Sequence, residues 1–257
     1  MEMILEFPDL LRLIDERSVA FRAAIAAAPS LDVRVPTCPE WTLFDLAQHL
    51  GVGRYSWAAT VAAGPDATAK VTPADAPPVP AEREALLAWL AASTQALLDA
   101  LREAGPDRGC WTWWGPSQSP QTVGAVARHQ LQEIAVHTYD AQLTVGDAQP
   151  LPAEVAVDGV EDFQFTCCAN TAAWPHEPAV VDYHVSEGRS WRLWLSGDGA
   201  KVARLAAPVD GEVADVAAWG SASELVLWFY GRFPTESLKV EGDAGIFDQL
   251  IAWDPSV

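Results

Sequence analysis

Positive charge is scarce in this chain. Its 257 residues hold 16 Lys and Arg against 35 Asp and Glu, a formal net charge of −19. That field repels nucleic-acid phosphates and anionic membrane faces across several ångströms of solvent, so neither is expected as a partner. Cysteine is scarce as well. The four present, Cys38, Cys110, Cys167 and Cys168, show neither CxxC spacing nor the density of a disulfide-stapled secreted domain, which suits a reduced cytoplasm. No segment reaches the roughly 18 uninterrupted apolar residues of a membrane span. The opening MEMILEFPDLLRLIDERS carries acids where a secretory leader needs basic residues followed by an apolar run. No internal repeat is present. The expectation is a cytoplasmic protein, monomeric or homodimeric, whose partners are small molecules.

Apolar surface, by contrast, is abundant. Half of the residues are hydrophobic, 12 Trp among them, which supports a sizeable core and an aromatic-lined cleft. Residues 8–28 place Leu11, Ile14, Phe21 and Ile25 at helical spacing, and APSLDVRVPTCPEW then breaks the pattern with three prolines. Thr42-x-x-Asp45 reads as a capping box opening a second helix, with Pro39 just ahead of it and Cys38 as a buried helix-start residue. Residues 64–80 are Pro- and Ala-rich and read as an exposed connection. A third helix over about 81–104 carries Leu86, Leu90, Leu97 and Leu101 on one stripe and ends at Gly105-Pro106, and a fourth runs from about Thr122 to Leu143. Four such helices predict a bundle.

The texture changes after GDAQPLP. A helix over about 153–170 leads to AVVDYHVSE and SWRLWLSGDG, whose alternation suits strands, with Gly197-Asp198-Gly199 as a turn. VARLAAPVD and EVADVAAWG continue the sheet, SASELVLWFYGRF reads as a buried helix, SLKVEGD as a strand and the last stretch as a short helix. The predicted fold is therefore α in the N-terminal half, a four-helix bundle over 1–150, plus a smaller α+β domain over 151–257.

One stretch carries chemistry. In QLQEIAVHTYDA, Glu133 and His137 lie four apart, about 6 Å along a helix and about 40° around it, so both project into one volume. Two His and one Glu form a known catalytic zinc set that leaves a coordination position open, and His49 on another helix is the third candidate. His129 continues the stripe, but about 12 Å separates it from His137 along the axis, too far to share an ion comfortably. On spacing alone, the competing reading is a solvent-facing i,i+4 pair and a packed histidine.

VPTCPEWTLFDLAQHL, ARHQLQEIAVHTYDA and WGSASELVLWFYGRF together resemble the mycothiol-dependent maleylpyruvate isomerase family over nearly the whole chain. Its Cys-Pro-x-Trp opening followed by a His is matched by Cys38, Pro39, Trp41 and His49, and its Glu-x-x-x-His-x-x-Asp by Glu133, His137 and Asp140. The resemblance implies a DinB-like bundle whose His49, Glu133 and His137 hold a divalent metal, usually zinc. It also implies mycothiol as thiol cofactor or co-substrate, and a sterol-carrier-like second domain in which Arg232 matches an Arg that assists catalysis. The sequence departs from the family's pattern at Gln132, commonly His, and at Tyr139, where Trp is frequent, which leaves the substrate open.

Other residues carry two readings each. Trp111, Trp113 and Trp114 precede the motif helix and either wall the cleft, Trp113 as a cofactor contact, or simply pack. Arg232 is an anion clamp or a helix-end residue bonding terminal carbonyls. Asp140 orients a ligand or is a solvated charge. The expected function is thiol-dependent isomerisation or S-transfer acting on an electrophile. A thiol-independent metal hydrolase and a non-catalytic small-molecule-binding protein are the alternatives.

Overall fold

The computed structural model describes residues 5–205 and 213–253. Among these residues are seven α-helices, four of them in the N-terminal half, and the chain divides into two compact units: one of residues 1–113 and 121–151, the other of 114–120 and 152–257.

In the first unit α1 (Phe7–Ala27) begins with a proline in its first turn, where the missing N–H costs nothing, and buries Leu11, Ile14, Phe21 and Ile25. A small antiparallel pair follows, β1 (Arg34–Val35) and β2 (Cys38–Thr42). Cys38 thus sits half-buried in a strand, not at a helix start as expected. The chain turns into α2 (Leu43–Ala63) at Thr42, whose hydroxyl accepts from the Asp45 backbone N–H while the Asp45 carboxylate accepts from the Thr42 backbone N–H. Both halves of the capping box are made, and they fix where His49 falls.

The exposed 64–80 connection leads to α3 (Arg83–Ala104), stopped by Gly105 at φ +73°. Its Leu86, Leu90, Leu97 and Leu101 are fully buried, each burial stabilising by about 1.5–3 kcal/mol. Thr122 caps α4 (Val123–Thr144) through the Ala125 backbone N–H. Within this bundle α1 packs on α4 and α2 on α3.

The second unit opens with α5 (Ala153–Phe163), which ends earlier than the sequence pattern suggests, because the helix widens into a π turn over Gln164–Cys168. Five strands follow: β3 (Ala179–Val185), β4 (Arg189–Ser196), β5 (Gly199–Arg204), β6 (Val216–Gly220) and β7 (Lys239–Gly242). They lie in the order β5-β4-β3-β6-β7, antiparallel except for β3 beside β6. The end of the VARLAAPVD segment lies outside the described residues. Asp182 and Arg192, opposite each other on β3 and β4, form a buried two-pronged ion pair at 2.7 and 2.8 Å. Ser221 and Glu224 build a second capping box at α6 (Ala222–Phe229), which packs on α5, and α7 (Gly245–Ala252) closes the unit.

Candidate metal centre

His49 lies two turns into α2, and Glu133 and His137 lie one turn apart on α4. Glu133 Oε1 stands 2.9 Å from His49 Nε2 and 3.6 Å from His137 Nε2. One donor atom from each of the three lies within 4.8 Å of the others, and among the described residues this is the group able to hold a metal ion. His129 is not in it. Its ring meets Trp113 edge-on, 5.6 Å away between centroids.

The second nitrogen of His137 is committed. Its Nδ1 lies 2.8 Å from Asp140 Oδ2, and Asp140 Oδ1 accepts from the Thr37 hydroxyl at 2.6 Å. A carboxylate only accepts, so Nδ1–H donates to Asp140 and Nε2 is the ring nitrogen left facing Glu133. Asp140 is wholly buried, which excludes the solvated reading and leaves the orienting one. Trp41 covers the pair of imidazoles, its ring 4.8 Å from His49 and 6.3 Å from His137.

Electrostatics follow from this crowding. Burial disfavours charge on Glu133, but hydrogen bonds from His137 and His49 outweigh it and hold the carboxyl well below its usual range. Burial likewise works against a charged His137, yet its bonds to Asp140 and Glu133 prevail and raise it to about 9. Next to this cluster a cation is buried. Arg54 on α2 is 2% exposed and donates to Thr94 Oγ1 at 2.7 Å and Ser18 Oγ at 2.9 Å. Burial and the neighbouring Arg22 push it down to about 10, while the Glu133 carboxylate pulls the other way.

A cavity of about 500 Å³ opens beside His49, lined by Trp41, Gln48, Val52, Gly53 and the charged Glu40, Asp45 and Lys70. The structure distributes the other candidates differently. Trp113 is 51% exposed, Trp114 is buried, and Trp111 leans on Trp57 at 6.3 Å. Arg232, half-buried in the second unit, donates to the Tyr230 carbonyl at the end of α6, the helix-end bond that was one of its two readings. Sequence reasoning missed Thr37, Arg54 and Lys70. Nothing local marks Thr37, whose partner is 103 residues away.

Comparison with known proteins bears on this arrangement. Residues 11–142 match the model of the mycothiol maleylpyruvate isomerase N-terminal domain, and residues 154–249 that of the MDMPI C-terminal domain. No curated protein matches the sequence. Two crystal structures of mycothiol-dependent maleylpyruvate isomerase are similar, one of them a histidine-to-alanine variant. That variant aligns with TM-score 0.59 and 11% identity, and the other structure with 0.58 and 12%. Each alignment covers 93% of this chain and 95% of the other. At such identity the likeness concerns the fold. Among the described residues, no helix is long and apolar enough to cross a membrane.

Proposed function

The chain belongs to the mycothiol maleylpyruvate isomerase family, and from that premise we propose a metal-dependent enzyme that uses a low-molecular-weight thiol, mycothiol. Its reaction is cis–trans isomerisation of a maleylpyruvate-like substrate or S-transfer to an electrophile. The observation that carries this reading is the convergence of His49, Glu133 and His137 from two helices beside a cavity.

The donors suit a divalent ion. Ligands about 2.0–2.1 Å from a tetrahedral centre lie about 3.3 Å from one another. The separations of 2.9 and 3.6 Å around Glu133 Oε1 bracket that value. Two imidazoles and one carboxylate also match a known catalytic zinc set with a fourth position left over. A bound ion of this kind would turn a thiol, mostly protonated at neutral pH, into the thiolate nucleophile.

The chain's own groups do the rest. Asp140, itself held by Thr37, keeps the His137 ring turned so that Nε2 serves as donor. The Trp41 ring shields one side of the imidazoles from water. Lys70 supplies positive charge to the cavity for a carboxylate of thiol or substrate, beside Glu40 and Asp45. Arg232 is assigned the catalytic role of the matching family residue, as clamp for a substrate or thiol carboxylate, and the exposed face of Trp113 is assigned to the thiol cofactor.

The test combines metal analysis with turnover. The purified protein should carry about one divalent ion per chain. It should isomerise maleylpyruvate, followed by absorbance, or form S-conjugates detected by mass, only when mycothiol is added. His137→Ala should lose both metal and thiol-dependent turnover. Retention of both in that variant overturns the mechanism, and turnover without thiol would make the protein a metal hydrolase instead.

A further inference from the structure

A second cavity lies within the second unit. It measures about 270 Å³ and is walled by Phe163, Tyr183, Trp228, Phe229, Phe247 and Trp253, with no residue in common with the metal-donor cluster. We propose that it is a binding site for a small, uncharged aromatic molecule of one or two fused rings.

Size sets the first limit. An apolar cavity of about 150 Å³ accepts benzene, so on the same scale this one accepts about 11 heavy atoms. A four-ring sterol or a long acyl chain would enter it only in part. Charge sets the second limit. Among the described residues no Asp, Glu, Lys, Arg or His lines the walls, so an ion entering would lose its hydration without gaining a partner there. The lining groups that could ionise are held neutral: burial pushes the Cys168 thiol up to about 12 and raises the Cys167 thiol and the Tyr183 hydroxyl well above their usual values.

Ring geometry supplies the complementarity. Phe163 stacks on Phe229 at 4.8 Å and 5°, and Trp228 meets Phe247 edge-on at 4.9 Å and 80°, so the walls present both faces and edges to a guest ring. The π turn at 164–168 brings the consecutive Cys167 and Cys168 to the same cavity. Such local widening of a helix recurs at functional sites. At the rim Ile251 is 73% exposed, an apolar side chain in solvent where a guest would enter.

The experiment titrates the intact chain with 2-naphthol and with its anionic counterpart 2-naphthoate, read by tryptophan fluorescence and calorimetry. The neutral probe should saturate one site with Kd on the order of 100 µM, as its size allows, and the anion should bind at least about tenfold more weakly. Leu250→Trp, which fills the cavity from α7, should weaken 2-naphthol at least about tenfold, whereas Leu250→Ala should retain it. On the unaltered chain 2-naphthol should slow amide hydrogen exchange in α7, mapped by mass, without slowing it in α2. This arm decides the matter if the tryptophan variant does not fold. Absence of saturable binding, equal affinity for the two probes, or unchanged exchange in α7 would overturn the site. None of these readouts depends on metal or thiol at the other cluster.

Discussion

At the scale of single residues, the centre depends on one side chain that never faces its cavity. Asp140 spends one oxygen on His137 Nδ1 and the other on the Thr37 hydroxyl. Asp140→Asn presents an amide N–H₂ where one of two donors needs an acceptor, so the imidazole turns or changes tautomer. The expected result is a 10–100-fold loss of affinity in a metal titration, with the fold retained by circular dichroism. An unchanged affinity would remove Asp140 from the centre. Glu133 and His137 were legible because four-residue spacing places them on one helix face, whereas His49, the third candidate from another helix of the bundle, drew its support from the family's Cys-Pro-x-Trp…His pattern. Thr37, Arg54 and Lys70 gave no such sign. Their relevance comes from tertiary neighbours on other elements, which periodicity along one element does not report.

Elements were more readable. The capping box at Thr42/Asp45 and the glycine stop at Gly105 announce helix ends through local chemistry that survives in the folded chain, while the second box, Ser221/Glu224, emerged only with the structure. The β1–β2 pair escaped notice because strands of two and five residues, interrupted by prolines, are too short for alternation to register. The π turn escaped because a widened helix keeps a helical composition. The packing of α2 on α3 rests on Gly51, where an added Cβ would fall 1.9 Å from Trp89 Cζ3. Trp89 cannot swing away cheaply, since its Nε1 donates to the Pro77 carbonyl and its ring lies 5.7 Å from Tyr55. Gly51→Ala gains about 1 kcal/mol of helix propensity and loses about 1–3 to overpacking. A net loss of about 1 kcal/mol, or roughly 2–4 °C in Tm, is expected by calorimetry. On β3, His184 stacks on Trp219 and bonds Ser190, and burial lowers its pKa from 6.5. The unfolded chain then binds the extra proton first, so stability from this group is complete above pH 6.5 and declines as pH falls from there toward the folded pKa. His184→Gln should flatten that part of a Tm-against-pH curve, and an identical curve would exclude the group as its source.

At the scale of the whole molecule, the −19 charge works against any anionic substrate. Screening shortens that repulsion to about 10 Å at 0.1 M salt. For an anionic electrophile kcat/KM should therefore rise severalfold between 10 mM and 150 mM salt, while a neutral electrophile shows no such trend. The path of the chain between units has its own consequence. Residues 114–120 lie inside the stretch that builds the bundle, yet the Gln118 side chain bonds both backbone groups of Val202, and its backbone N–H donates to Phe165. During synthesis this segment emerges before α4, and Gln118 must wait for partners made 47 and 84 residues later. A single cut cannot free either unit intact, so recombination that exchanged one half for a foreign module would leave Gln118 without its strand. The halves are inherited, and must mature, as one.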